Sequence, residues 1–180
     1  MNKFFKNLSI LAAIALYATA CGTQTVQDQP EEKGAAYQAI LGKSLNDEDV
    51  ANFITSNNCS PASQFQLCSE AGIAFWSDAN QIVKMVYLYS GNTEGFRRYR
   101  DELPFGLSFY DPMWRVEEKL RDLETDDTSP LTLKAGLPDE GVTPDHMHYW
   151  AMYKRFSMTV IYNSPGDDED AYIYAIAVNK

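Results

Sequence analysis

Histidine and cysteine are scarce in this chain of 180 residues, with two of the first and three of the second. That leaves little material for a catalytic zinc site, which wants three protein ligands, or for a histidine-based triad. There is no G-x-S-x-G nucleophile elbow, no phosphate-binding glycine loop and no H-E-x-x-H pair. Positive charge is also short: 15 Lys and Arg stand against 25 Asp and Glu, a net charge of −10. This disfavours nucleic acid and anionic membrane surfaces and favours cationic partners. After the first twenty residues no apolar run reaches the length of a membrane span.

Aromatic residues are plentiful, with 3 Trp, 11 Tyr and 9 Phe. They indicate a folded chain with a buried core. The opening residues carry Lys3 and Lys6, then an apolar run from Leu8 to Ala20 that ends in small side chains. This pattern predicts a secretory signal peptide over 1–20. The stretch Ala18, Thr19, Ala20, Cys21 resembles the lipobox of bacterial lipoproteins. The resemblance implies cleavage before Cys21, acylation of that cysteine and anchoring by lipid alone. Gly22 rather than Asp after it implies the outer membrane, facing the periplasm. Losing Lys3 and Lys6 takes the net charge from −10 to −12. Residues 21–35 then read as the lipidated Cys and a flexible polar tether, reaching about 20 Å.

Cys59 and Cys68 remain as an even pair in an oxidising compartment, and predict a structural disulfide across a turn at Pro61 to Ser63. Closing so short a loop is worth about 2–3 kcal/mol.

The remainder carries an internal echo. Gly42, Ser44, Leu45 and Asp47 share the pattern G-x-S-(L/F)-x-D with Gly106, Ser108, Phe109 and Asp111. Each copy precedes a helical periodicity, with Ser and Asp spaced for a capping box or Asp as the N-cap. The first helix is expected over 47–56 with Val50, Phe53 and Ile54 inward. The second is expected over 112–123 with Met113, Val116, Leu120 and Leu123 inward. Strands are expected at 73–77 and 82–89, then at 149–153, 156–162 and 171–178. The fold class is therefore α+β: two tandem helix-plus-antiparallel-strand units, 36–92 and 106–180, forming one sheet with helices on one face. A connector, 93–105, includes a short helix over 94–102. The basic run Arg97, Arg98 and Arg100 would pair locally on that helix with Asp101 and Glu102. Residues 124–145 form an irregular insertion, rich in Pro, Gly and Asp. This layout resembles the beta-lactamase inhibitor proteins and, per half, the small lipoprotein of the outer-membrane barrel-assembly machinery. In those proteins each unit packs a helix pair against a three- or four-stranded sheet.

Strict alternation along the last strand puts Ala171, Ile173, Ala175 and Ala177 beneath a helix and Tyr172, Tyr174, Ile176 and Val178 on the other face. Tyr87, Tyr89, Trp150 and Tyr162 are expected to join Tyr172 and Tyr174 on an open, protein-binding face. Asp145, His146 and His148 are the one place where metal ligands gather. They lack a third strong ligand, so neither metal nor cofactor is expected. The acidic tip Asp167 to Asp170 reads as a solvated hairpin turn, able to steer a basic partner.

These features describe no enzyme. They describe a lipid-anchored, periplasm-facing binding module for a basic protein partner, of the inhibitor or immunity type. A structural accessory of envelope assembly and an uncharacterised envelope enzyme are the alternatives. Replacing Cys21 by Ser is expected to abolish palmitate labelling and to leave the precursor uncut, read by labelling and by the size of the chain. A Cys21→Ser chain that is still acylated and cleaved would sink the lipobox reading.

Overall fold

Short polar caps start and stop the second helix. In α2 (Glu48–Ser56), Asp47 holds the N-cap and its carboxylate accepts the Asp49 N–H at 3.1 Å. Glu48 and Asp49 add negative charge to the first turn, where the helix dipole favours it. The helix ends where the Asn57 side chain donates to the Phe53 carbonyl at 2.9 Å and Asn58 turns left-handed at φ 49°. A shorter helix, α1 (Ala36–Ile40), precedes it and buries Tyr37 and Ile40. The third, α3 (Met113–Arg121), buries Met113, Val116 and Leu120 on one side.

The coordinates are a computed structural model that describes residues 35–91, 94–123, 134–136, 148–164 and 168–180, all within one unit, Gly34–Lys180. The expected leader, Cys21 and the tether up to 34 lie outside the described residues, as do His146 and Asp145. Among the described residues no helix is long and apolar enough to cross a membrane.

Eight strands follow in chain order: β1 (Ser60–Ala62), β2 (Phe65–Cys68), β3 (Ile73–Ser77), β4 (Val83–Tyr89), β5 (Lys134–Gly136), β6 (Trp150–Tyr153), β7 (Met158–Tyr162) and β8 (Ile173–Asn179). They form one antiparallel sheet in the order β1-β2-β3-β4-β8-β7-β6-β5. The two central strands are thus the last of each run, paired Tyr87 to Ala177 and Tyr89 to Ala175. β2 and β3 are joined by a 3-10 turn, Ser69–Ala71, closed by left-handed Gly72. β6 and β7 are joined likewise by Lys154–Phe156 and left-handed Ser157. Register shifts fall between Trp76 and Ser77 and between Ile161 and Tyr162.

One face of the sheet carries the core. Val50 of α2 and Met113, Val116 and Leu120 of α3 share one buried cluster with Phe75, Val86, Leu88, Val160 and Ile176. The helices therefore cover a single face, and the α+β class holds.

Four expectations are corrected. The insertion expected over 124–145 contains an element, β5, because its three residues complete the ladder beyond β6 at Ala135 to Ala151. The loop expected between Cys59 and Cys68 is the β1–β2 hairpin, turning at Ser63 (φ 57°). There is no helix over 94–102. That segment is a strap around the end of the sheet: Arg97 N–H donates to the Ser69 carbonyl at 2.8 Å and Tyr99 N–H to the Tyr89 carbonyl at 2.9 Å. Its charges pair at long range, Arg97 with Glu70 at 2.8 Å, while Arg98 lies 4.4 Å over the Tyr110 ring. Gly72 makes room for the strap, since a Cβ there would sit 2.4 Å from the Tyr99 backbone nitrogen. Finally, Asp111 caps no helix. It accepts the Ser108 N–H at 2.7 Å and pairs with Lys119 at 2.8 Å, and Pro112 stands at the N-cap instead.

The two copies of the serine motif nevertheless fold alike. Asp47 N–H reaches the Ser44 carbonyl at 2.9 Å and Asp111 N–H the Ser108 carbonyl at 2.8 Å. Asn46 and Tyr110 each donate a backbone N–H to the serine hydroxyl at 3.2 Å.

The Cys59–Cys68 disulfide is formed and ties the end of α2 to β2. Cys59→Ala with Cys68→Ala is expected to lower unfolding free energy by about 2–3 kcal/mol in a denaturant titration. No loss would mean that the hairpin is held by its ladder alone.

Candidate functional site

Residues that face each other across an antiparallel ladder share a face of the sheet. The registers therefore define the face opposite the helices. It carries Phe65 and Leu67 of β2, Ala74 and Trp76 of β3, and Met85, Tyr87 and Tyr89 of β4. Across the centre it continues with Ala175 and Ala177 of β8, Thr159 and Ile161 of β7, and Trp150 and Met152 of β6. Apart from the three alanines these side chains are half-buried, and none belongs to the helix-side cluster.

The register shift between β7 and β8 decides what this face contains. Ile161 pairs with Ala175 and Tyr162 with Ile173, so Tyr174 is an extra residue on β8. A bulge of this kind reverses the in–out alternation beyond it. Ile173 points into the core, and so do Ile176 and Val178. Ala175 and Ala177 turn outward instead. The expected alternation is thus overturned from residue 175 onward, because a single-residue bulge leaves no mark on a run that is apolar on both sides.

The outward alanines form the floor of a groove of about 350 Å³. Tyr87 and Tyr89 wall it on one side, Ile161 and Trp150 on the other, and Tyr174, His148 and Glu94 close one end. The wall is a stacked aromatic series. Tyr89 lies between Tyr87, with centroids 6.5 Å apart, and Phe96, at 4.1 Å. His148 stacks on Tyr174 at 3.9 Å. The Tyr174 hydroxyl donates to the Glu94 carboxylate at 3.4 Å. Burial, followed by the negative charge and the hydrogen bond of Glu94, pushes the Tyr174 phenol up to about 12. Burial and then Glu94 also raise Tyr89.

Of the expected partner-binding residues, the groove gathers Tyr87, Tyr89, Trp150 and Tyr174. Tyr162 is a correction: it lies fully buried on the helix side with Met158 and Val160, its hydroxyl 3.1 Å from that of Tyr153. The two-residue period of β7 dictates this, since Tyr162 shares parity with Met158 and Val160. Tyr172 is exposed at 49 % but sits beyond the end of β8, bridged to Pro112 and away from the groove. Sequence reasoning missed Glu94, His148, Ile161, Thr159 and the alanine floor as groove residues. Phe65 and Trp76 were legible as period-two aromatics but were not assigned to the face. Among the described residues no three His, Cys, Asp or Glu side chains gather as a metal site.

Compared with family models, curated proteins and solved structures, the chain matches none.

Tyr174 has a raised phenol pKa in the fold, so the stability that it lends is complete below pH 10 and is lost as pH climbs through about 12. Glu94→Gln removes one charge from beside it. The Tyr174 transition, isolated by subtracting a Tyr174→Phe titration, is expected to fall from about 12 toward 10 while staying above it, because burial persists. An unmoved transition would separate Glu94 from Tyr174 in solution.

Proposed function

We infer that this chain is a lipid-anchored, periplasm-facing protein-binding module that docks a partner on the open face of its sheet. Its concrete form is an inhibitor or immunity-type lipoprotein directed at a basic hydrolase or toxin. The observation that carries this reading is the open face itself. Phe65, Trp76, Tyr87, Tyr89 and Trp150 share one face of the sheet that no helix among the described residues covers, half-exposed, on rigid strands. Soluble proteins seldom leave so continuous an apolar surface open, and Tyr and Trp are the residues that protein interfaces enrich. Strands hold such anchors at low entropic cost, which favours affinity.

Tandem units are the reading that best accounts for the strand order. Each half supplies a nine-residue helix, then strands of three, four, five and seven residues. The repeated 3-10 turns, the repeated register shifts and the repeated serine motif support the same reading. It agrees with the layout of the beta-lactamase inhibitor proteins, to which the resemblance is one of arrangement.

The lipid anchor rests on the Leu8 to Ala20 run and Cys21. An anchor concentrates a binding module where an incoming enzyme arrives. A charge of −10, or −12 without Lys3 and Lys6, speeds encounter with a cationic one.

The immobilised chain, exposed to envelope and secreted extracts, is expected to retain a basic hydrolase and inhibit it. Retention should weaken between low and moderate salt. Tyr87→Ala with Trp150→Ala should cost about 2 kcal/mol or more of affinity, the scale of an interface hot spot. A partner held as tightly by that double variant would place docking elsewhere. A membrane complex of assembly proteins retained instead would make the chain an accessory of envelope assembly.

A further inference from the structure

Exposed large apolar side chains are few among the described residues, and three of them share one corner: Tyr110 at 69 %, Trp114 at 49 % and Tyr172 at 49 %. The backbone brings them together where α3 begins and the β7–β8 turn ends. Pro112 is bridged antiparallel to Tyr172, Met113 N–H donates to the Ala171 carbonyl at 3.1 Å, and Trp114 N–H to the Glu169 carbonyl at 3.4 Å. Tyr110 stands two residues before Pro112 and Trp114 two residues after it, so the three aromatics bracket a single bridge. None of them lines the groove.

The fold makes little use of these rings. The period of α3 turns Met113, Val116 and Leu120 inward and leaves Trp114 on the outer side. Tyr172 is held by its backbone, whose N–H donates to Asn163 Oδ1 at 2.9 Å and whose carbonyl accepts the Asn163 N–H at 2.9 Å. Among the described residues neither Trp114 nor Tyr172 stacks on another ring. Tyr110 meets Arg98, 4.4 Å from its ring centroid, and otherwise faces solvent. Apolar side chains scattered singly over a surface are ordinary, but a shared corner of them marks an interaction site, and Tyr and Trp are the types that interfaces enrich.

Charge selects the occupant. Asp168, Glu169 and Asp170 are exposed, lead straight into this corner and form no ion pair among the described residues. Two bases border it. Arg115 is paired with Glu118, while Arg98 lies over Tyr110. Three carboxylates thus stand against one base that has no acid of its own. Alone, such acids mark a solvated turn; beside three exposed rings they give the surface a sign. Lys and Arg satisfy both parts, with an aliphatic stem for the rings and a cationic head for the carboxylates. Arg98 on Tyr110 shows the same chemistry within the chain, with its guanidinium donating to the phenol oxygen at 2.7 Å.

We propose that this corner is a second docking surface. It takes a lysine- or arginine-bearing segment of a protein partner across Tyr110, Trp114 and Tyr172, with the charges of that segment toward Asp168, Glu169 and Asp170. It shares no residue with the open face of the sheet, and stands or falls independently of docking there.

The test uses the full chain in a neutral maltoside detergent, with fluorotryptophan in place of its 3 Trp, followed by fluorine NMR. Trp114→Phe assigns the resonance of Trp114 against those of Trp76 and Trp150. The probes are a short acetylated peptide of alternating arginine and alanine and its counterpart with glutamate for arginine. The arginine peptide is expected to shift Trp114 saturably and to leave Trp76 and Trp150 in place, and the glutamate peptide to shift none. Tyr172→Ser, and Glu169→Gln combined with Asp170→Asn, should each weaken binding about tenfold. Unmoved Trp76 and Trp150 resonances in these variants report an intact fold. No saturable shift at Trp114, equal binding of the two peptides, or an affinity that Tyr172→Ser leaves unchanged overturns the proposal. A shift at Trp76 and Trp150 instead puts the peptide on the open face, which spares the docking reading and overturns this one.

Discussion

The pairing of β4 with β8 is the constraint on which the rest of this molecule depends. It joins the two runs of strands into one sheet, and its register assigns every neighbouring side chain to a face. On one side it sets Val86 and Leu88 beside Val178 and Ile176 under the helices. On the other it sets Tyr87 and Tyr89 against Ala177 and Ala175, the largest side chains of one strand against the smallest of the next. The groove is the direct result of that mismatch. A one-residue slip would exchange the two faces and leave neither a core nor a groove.

Much of the framework was legible in advance. The helix faces of Val50, Phe53 and Met113, Val116, Leu120 follow from a 3.6-residue period, and β3 was expected over its own bounds, 73–77. The Cys59–Cys68 bridge follows from spacing and parity of count. What escaped was information that the sequence does not carry locally. β5 is a strand only because β6 offers it an edge, and a three-residue segment has no period to read. The strap over 94–102 looks helical by its charges, but its shape is set by distant carbonyls at Ser69 and Tyr89.

The site was half legible for the same reason. Tyrosines on alternating positions of β4 announced an exposed aromatic row. The face of β8 turned on one bulge at Tyr174, invisible in a run where both parities are apolar. Tyr162 shows the converse error. It was expected on the open face, yet burial against Tyr153 gives its hydroxyl a partner and lets the ring fill the core. Glu94 reaches the groove from outside any strand, and only the strap brings it there.

The position of β8 also governs the order in which this molecule can come into being. The strand that ends last in the chain lies at the middle of the sheet, so residues 83–89 have no neighbour on that side until residues 173–179 have been made. Until then the aromatic row of β4 stands beside an open hydrogen-bonding edge, and the two halves have no ladder between them. Pairing over such a sequence distance makes assembly slow, since the loop must close before any contact rewards it. The two halves therefore stay unjoined, and the core beneath them incomplete, until residues 173–179 are there to pair with 83–89.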